Sequence, residues 1–97
     1  MELEKDVEQY LKKQIKKNGG KSLKFTSTEK GVPDQTILLP SGRTVYVETK
    51  KHNGVLSPSQ IKMHKTFRKL NQTVFTAFSK KEVDTIIKDL QKEGEFD

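Results

Sequence analysis

The turn Pro40-Ser41-Gly42-Arg43 separates two runs of β-forming residues, Gln35-Thr36-Ile37-Leu38-Leu39 and Thr44-Val45-Tyr46-Val47-Glu48-Thr49-Lys50. Runs of this kind, bounded by Pro and Gly, fold back on each other as a hairpin. A hairpin then fixes which residues share a face and an end. Glu48 and Lys50 are two apart in the second strand and point to the same side. Asp34 closes the run Gly31-Val32-Pro33-Asp34 just before the first strand, so the hairpin returns Glu48 to the end of the sheet where Asp34 stands. Two carboxylates and an ammonium gathered there can surround one divalent cation. Gly31 admits backbone geometry that other residues avoid, and Pro33 keeps its predecessor extended. Read without chemistry, Asp34 is a turn residue opening a strand, and Glu48 and Lys50 form a same-face ion pair.

The rest of the chain supplies elements around this hairpin. Leu3, Val7, Tyr10, Leu11 and Ile15 recur at helical spacing from Glu2 to Lys17, and Asn18-Gly19-Gly20 ends that helix. Ser22 to Thr28, with Leu23 and Phe25, reads as a first strand. A second helix opens at Ser57-Pro58-Ser59-Gln60, with Ser57 as N-cap, and runs with Ile61, His64, Phe67 and Leu70 in period to Asn71. Thr73 to Phe78 reads as a buried strand. Ser79-Lys80-Lys81-Glu82 opens a third helix carrying Val83, Ile86, Ile87 and Leu90. The order is αβββαβα: a meander, then a right-handed crossover to a parallel strand. This predicts an α/β domain of three layers, a mixed four-stranded sheet flanked by helices, in a single unit over 1–97. The acidic tail, 93–97, is expected to fray.

Composition narrows the chemistry. The 97 residues contain no cysteine and two histidines, His52 and His64, which excludes thiolate zinc sites and a zinc cluster. A metal here is oxygen-ligated and hard, with Mg²⁺ or Mn²⁺ as candidates. The apolar runs are far too short to span a membrane, and the start of the chain is too acidic for a signal peptide, so a cytoplasmic protein is expected. The net charge of +6 favours a polyanionic partner. Its distribution says more. From Thr49 through Lys81 there is no acidic residue, while lysines and Arg68 crowd that stretch. The plain alternative is a solvated basic face.

Taken in order, the helix-borne Glu, Gly31-x-Pro33-Asp34, Glu48-x-Lys50 and Leu56-Ser57-Pro58-Ser59-Gln60 resemble the PD-(D/E)xK nuclease superfamily, and within it the VRR-NUC group of viral-type and DNA-repair nucleases. The likeness covers nearly the whole chain, without the accessory domains of large repair members. It implies a restriction-endonuclease-like core and a metal-dependent DNA endonuclease. Small stand-alone members imply further a homodimer acting on branched DNA such as four-way (Holliday) junctions, and a phage origin that would put the protein in host cytoplasm. The other class of reading is a nucleic-acid-binding module on the same fold without catalysis.

Under the resemblance, Asp34 and Glu48 bind the cation, and the backbone carbonyl of Thr49 adds a third oxygen. Lys50 orients or deprotonates the attacking water, or stabilises charge on the phosphorane. Glu4 lies at the margin of the apolar stripe of its helix and can face inward to complete the site; Glu8, further round, is the second candidate. Gln60 lines the site as well as serving the helix cap. Lys51, His52, Lys62, Lys65, Arg68 and Lys69 are candidate DNA contacts, which would make binding salt-sensitive and largely blind to sequence. His64, on the apolar side with Ile61 and Phe67, reads as a packed histidine.

Overall fold

Alternation along the central strand sorts the molecule into two unequal faces. The computed structural model describes residues 1–96. The chain runs α1 (Glu4–Lys17), β1 (Lys21–Lys24), β2 (Gln35–Leu38), β3 (Thr44–Thr49), α2 (Pro58–Lys69), β4 (Val74–Ala77) and α3 (Lys80–Lys92). The sheet order is β1-β2-β3-β4, antiparallel across its first two pairings and parallel between β3 and β4. The expected α/β architecture, αβββαβα with a mixed four-stranded sheet, is the one adopted. At the hairpin turn, Leu39 N–H donates to the Arg43 carbonyl (3.0 Å) and Gly42 N–H to the Leu39 carbonyl (2.9 Å).

Register places Ile37 opposite Val45, and Val47 falls on the same face. The helices α1 and α3 pack together over that face, and their apolar residues complete the main core. Val7, Leu11 and Ile15 of α1 are fully buried there with Val83, Ile86, Ile87 and Leu90 of α3. The opposite face carries Tyr46 and Glu48 and is covered by α2. There Phe67 meets Tyr46 edge-on, ring centroids 5.0 Å apart, with Phe25 beside both. One helix cannot cover a whole sheet face. Ile61 and Leu70, expected on the buried stripe of α2, remain 44% and 66% exposed.

Most element ends fall within two residues of the sequence reading, and two regions depart further from it. The first strand stops at Lys24 rather than Thr28; Phe25 N–H still donates to the Asp34 carbonyl (2.9 Å), after which the chain turns away, with Ser27 Oγ accepting from Glu29 N–H. The acidic tail does not fray over Glu93 to Phe96. Gly94 takes a left-handed φ of 75° and turns the chain back, so that Phe96 enters the core at 7% exposure. Glu95 accepts from Ser41 Oγ and from the Arg43 guanidinium, each at 2.6 Å. Asp97 lies outside the described residues.

Candidate active site

Pairing of Gln35 with Val47 lets Asp34 and Glu48 emerge at the same end of the hairpin. Asp34 is held by one residue of the neighbouring strand: Thr49 N–H donates to Oδ1 (3.0 Å) and Thr49 Oγ1 to Oδ2 (2.7 Å). Glu48 is 3% exposed, facing α2. The Glu48 carboxyl is pushed up to about 7, first by burial and then by the charge of Asp34, against a downward pull from Lys50. Burial also raises Asp34; the two bonds from Thr49 oppose the rise, while Glu8 and Glu4 add to it. The acids are thus electrostatically coupled, with the half-buried Lys50 within reach of Glu48.

The start of α2 completes the wall of the site. Ser57 Oγ accepts from Gln60 N–H (3.2 Å), and Gln60 Oε1 accepts from Ser57 N–H (2.8 Å). The same Gln60 side chain donates from Nε2 to Glu48 Oε2 at 3.3 Å. Its cap and its position in the site coexist. His64, one turn on, is 1% exposed with Nε2 3.4 Å from Glu48 Oε1. Its contact is therefore with a site carboxylate, which the packed-histidine reading missed. The available signal was spacing: residues four apart on a helix share a face, so whatever Gln60 meets, His64 meets also. Gly31 lets the loop before Asp34 press against this helix start. Its φ is +94°, and an added Cβ would collide with the Ser59 carbonyl.

The remaining candidates surround this centre. Glu4 is exposed, and its charge raises both Asp34 and Glu48; Glu8 is half-buried, acts on Asp34 and lies 3.9 Å from Lys12. Lys51 and His52 are exposed on the loop after β3, and Lys62, Lys65 and Lys69 along α2. Lys62 lines a groove with Lys30, Glu29, Ser59 and Thr66. Arg68 has a second task, since its guanidinium donates to the Val74 carbonyl at 2.9 Å.

This donor set fits a hard cation. Two mutually repelling carboxylates are held together, and Glu48 Oε1 is buried without a hydrogen-bond partner. Among the described residues no group of three His, Cys, Asp or Glu side chains can enclose a metal ion. An ion shared by these acids would complete its shell with backbone, solvent or phosphate oxygens, as Mg²⁺ commonly does. No described helix is long and apolar enough to cross a membrane.

No family model matches the chain. Over 62 residues, 63% of this chain and 67% of the relative, it is 36% identical to a protein of Acyrthosiphon pisum secondary endosymbiont phage 1 described as "Putative nuclease p44". A solved structure described as "VRR_NUC domain" superimposes with a TM-score of 0.82 at 34% identity, covering 88% of this chain and 94% of that one.

Proposed function

Because the chain belongs to the VRR-NUC family of nucleases, we propose that it is a metal-dependent DNA endonuclease in which Asp34 and Glu48 hold Mg²⁺ or Mn²⁺. The observation that carries this reading is the coupled, desolvated pair of acids at the end of the hairpin, with Glu48 raised to about 7. A sheet end with no chemical task gains nothing from burying two charges that repel. The Thr49 carbonyl is proposed as a further oxygen ligand and Glu4 as the helix acid. When bound, the cation would polarise the scissile phosphate and make water a better nucleophile. Thr49 fixes the Asp34 carboxylate and Gln60 steadies Glu48. Lys50 either takes the proton from the attacking water or offsets the charge that builds on the phosphorus oxygens. Water adds to phosphorus, one P–O ester bond breaks, and the products are a phosphate monoester and an alcohol.

The basic side chains Lys51, His52, Lys62, Lys65, Arg68 and Lys69 would follow the phosphate backbone. Branched DNA such as a four-way junction is the proposed substrate, cut by a homodimer. Uncovered apolar side chains support the dimer: Leu23 and Leu38 on the α2 side of the sheet and Ile61 and Leu70 on α2 itself. The phage relative supports a phage origin, with action in host cytoplasm.

Labelled linear, flap and four-way-junction DNA should be incubated with the protein in Mg²⁺, in Mn²⁺ and in chelator. Cleavage is expected with either metal, strongest on the junction, and absent in chelator. Asp34→Ala, Glu48→Ala and Lys50→Ala should each lose about a hundredfold or more. Full cleavage by Glu48→Ala would end this mechanism. Binding without cleavage in any metal would favour a non-catalytic module.

A further inference from the structure

His64 has no task in the mechanism above, and packing alone explains it poorly. Its two ring nitrogens and the Glu48 Oε1 beside them are all buried without hydrogen-bond partners. Burying unpaired polar atoms is unfavourable, and an aliphatic side chain would fill the space without that penalty. The two oxygens of Glu48 are met by different side chains of one helix face. Gln60 Nε2 donates to Oε2 at 3.3 Å, and His64 Nε2 stands 3.4 Å from Oε1. The second pair is close enough for a hydrogen bond but is not aligned as one, and catalytic contacts that are poorly aligned in an empty site commonly tighten when it is loaded.

We propose that His64 is a positioning residue, which donates from Nε2 to Oε1 of the ionised Glu48 and, together with Gln60, fixes the orientation in which that carboxylate meets the cation. The proposal rests on the metal-nuclease reading. A neutral imidazole carries one N–H; placed on Nε2 it points at Oε1. Partners of this kind orient ligands and raise metal affinity without touching the ion.

Mn²⁺ affinity, measured by calorimetry on the full chain, tests this beside a thermal melt of each protein. The set is the parent, His64→Leu, His64→Gln and Glu48→Gln. His64→Leu is expected to melt at or above the parent's temperature yet bind Mn²⁺ about ten- to a hundredfold more weakly. His64→Gln, which keeps an N–H donor near the Nε2 position, should recover most of that affinity. Parent-like Mn²⁺ binding by His64→Leu overturns the proposal, as does an equal loss in folded His64→Gln. A His64→Leu chain that melts well below the parent assigns the residue to packing and overturns it too. If the parent binds Mn²⁺ no better than Glu48→Gln, the metal reading itself falls, so the two failures are distinct.

Discussion

Glu48 sets charge against stability within a single side chain. Its carboxyl titrates at about 7 in the fold against 4.5 outside it, so the folded chain binds that proton more tightly. Between those two values the folded chain keeps a proton that the unfolded chain has released. Stability therefore falls as pH rises through that window. In chelator at pH 8 the ionised group should cost on the order of 3 kcal/mol relative to pH 4. Denaturant melts of the parent and Glu48→Gln should converge below pH 4.5 and separate above it, with Glu48→Gln the more stable at pH 8. Parallel curves across that range would remove the argument. Arg68 divides its duties differently. Losing its bond to the Val74 carbonyl, in Arg68→Ala, should cost about 1 kcal/mol, whereas Lys62→Ala and Lys65→Ala should stay within about 0.5 kcal/mol of the parent. The lysine variants should instead weaken DNA binding and flatten its salt dependence, read by titrations at several salt concentrations.

Among the elements, α2 both starts a helix and walls the site, and the two tasks can be separated. Ser57→Ala removes the cap acceptor and should cost about 1 kcal/mol while leaving the Gln60 amide free to meet Glu48. Gln60→Ala loses a comparable amount of stability but also frees Glu48 Oε2. Its Mn²⁺ affinity should fall where that of Ser57→Ala does not. Equal affinities would confine Gln60 to the cap. The Ser57–Gln60 capping box and the hairpin were legible in the sequence because each is local. At α3, Ser79 Oγ accepts from Glu82 N–H, but the Glu82 carboxylate accepts from Phe78 N–H and does not close a box. Ser57 and Gln60 find each other within one turn, and Pro40 to Arg43 leave the strands little choice but to reverse. What was not legible depends on contacts far apart in the chain. The periodicity of Ile61, His64, Phe67 and Leu70 gave the correct helix, but not which of them lie over the sheet. Where α2 rests decides that Phe67 meets Tyr46, that His64 meets Glu48, and that Leu70 meets solvent. Phe96 was misread for a related reason. A lone aromatic in an acidic tail has no period, and its neighbour Glu95 finds Arg43 and Ser41 only after folding.

Across the whole molecule, the main core lies on one face of the sheet, while Glu48 and its α2 partners lie on the other. The main core lies between the sheet and the α1–α3 pair, and the tail seals it with Phe96. The α2 face is thinner and holds the costly groups, including Glu48, His64 and the uncovered Ile61 and Leu70. Substitutions on the two faces should therefore fail in opposite ways. Phe96→Ala opens a cavity in the main core and should cost about 3 kcal/mol, read as a lower denaturant midpoint with an unchanged slope. Because Phe96 belongs to the main core cluster and not to the α2 face that carries Glu48, the folded fraction of that variant should bind Mn²⁺ and cleave DNA like the parent. Glu48→Gln should do the reverse, melting later at pH 8 and cutting nothing. If Phe96→Ala lost Mn²⁺ affinity at a temperature where it is still folded, the faces would be mechanically coupled through the sheet, and the centre would owe its geometry to the core behind it as well as to α2.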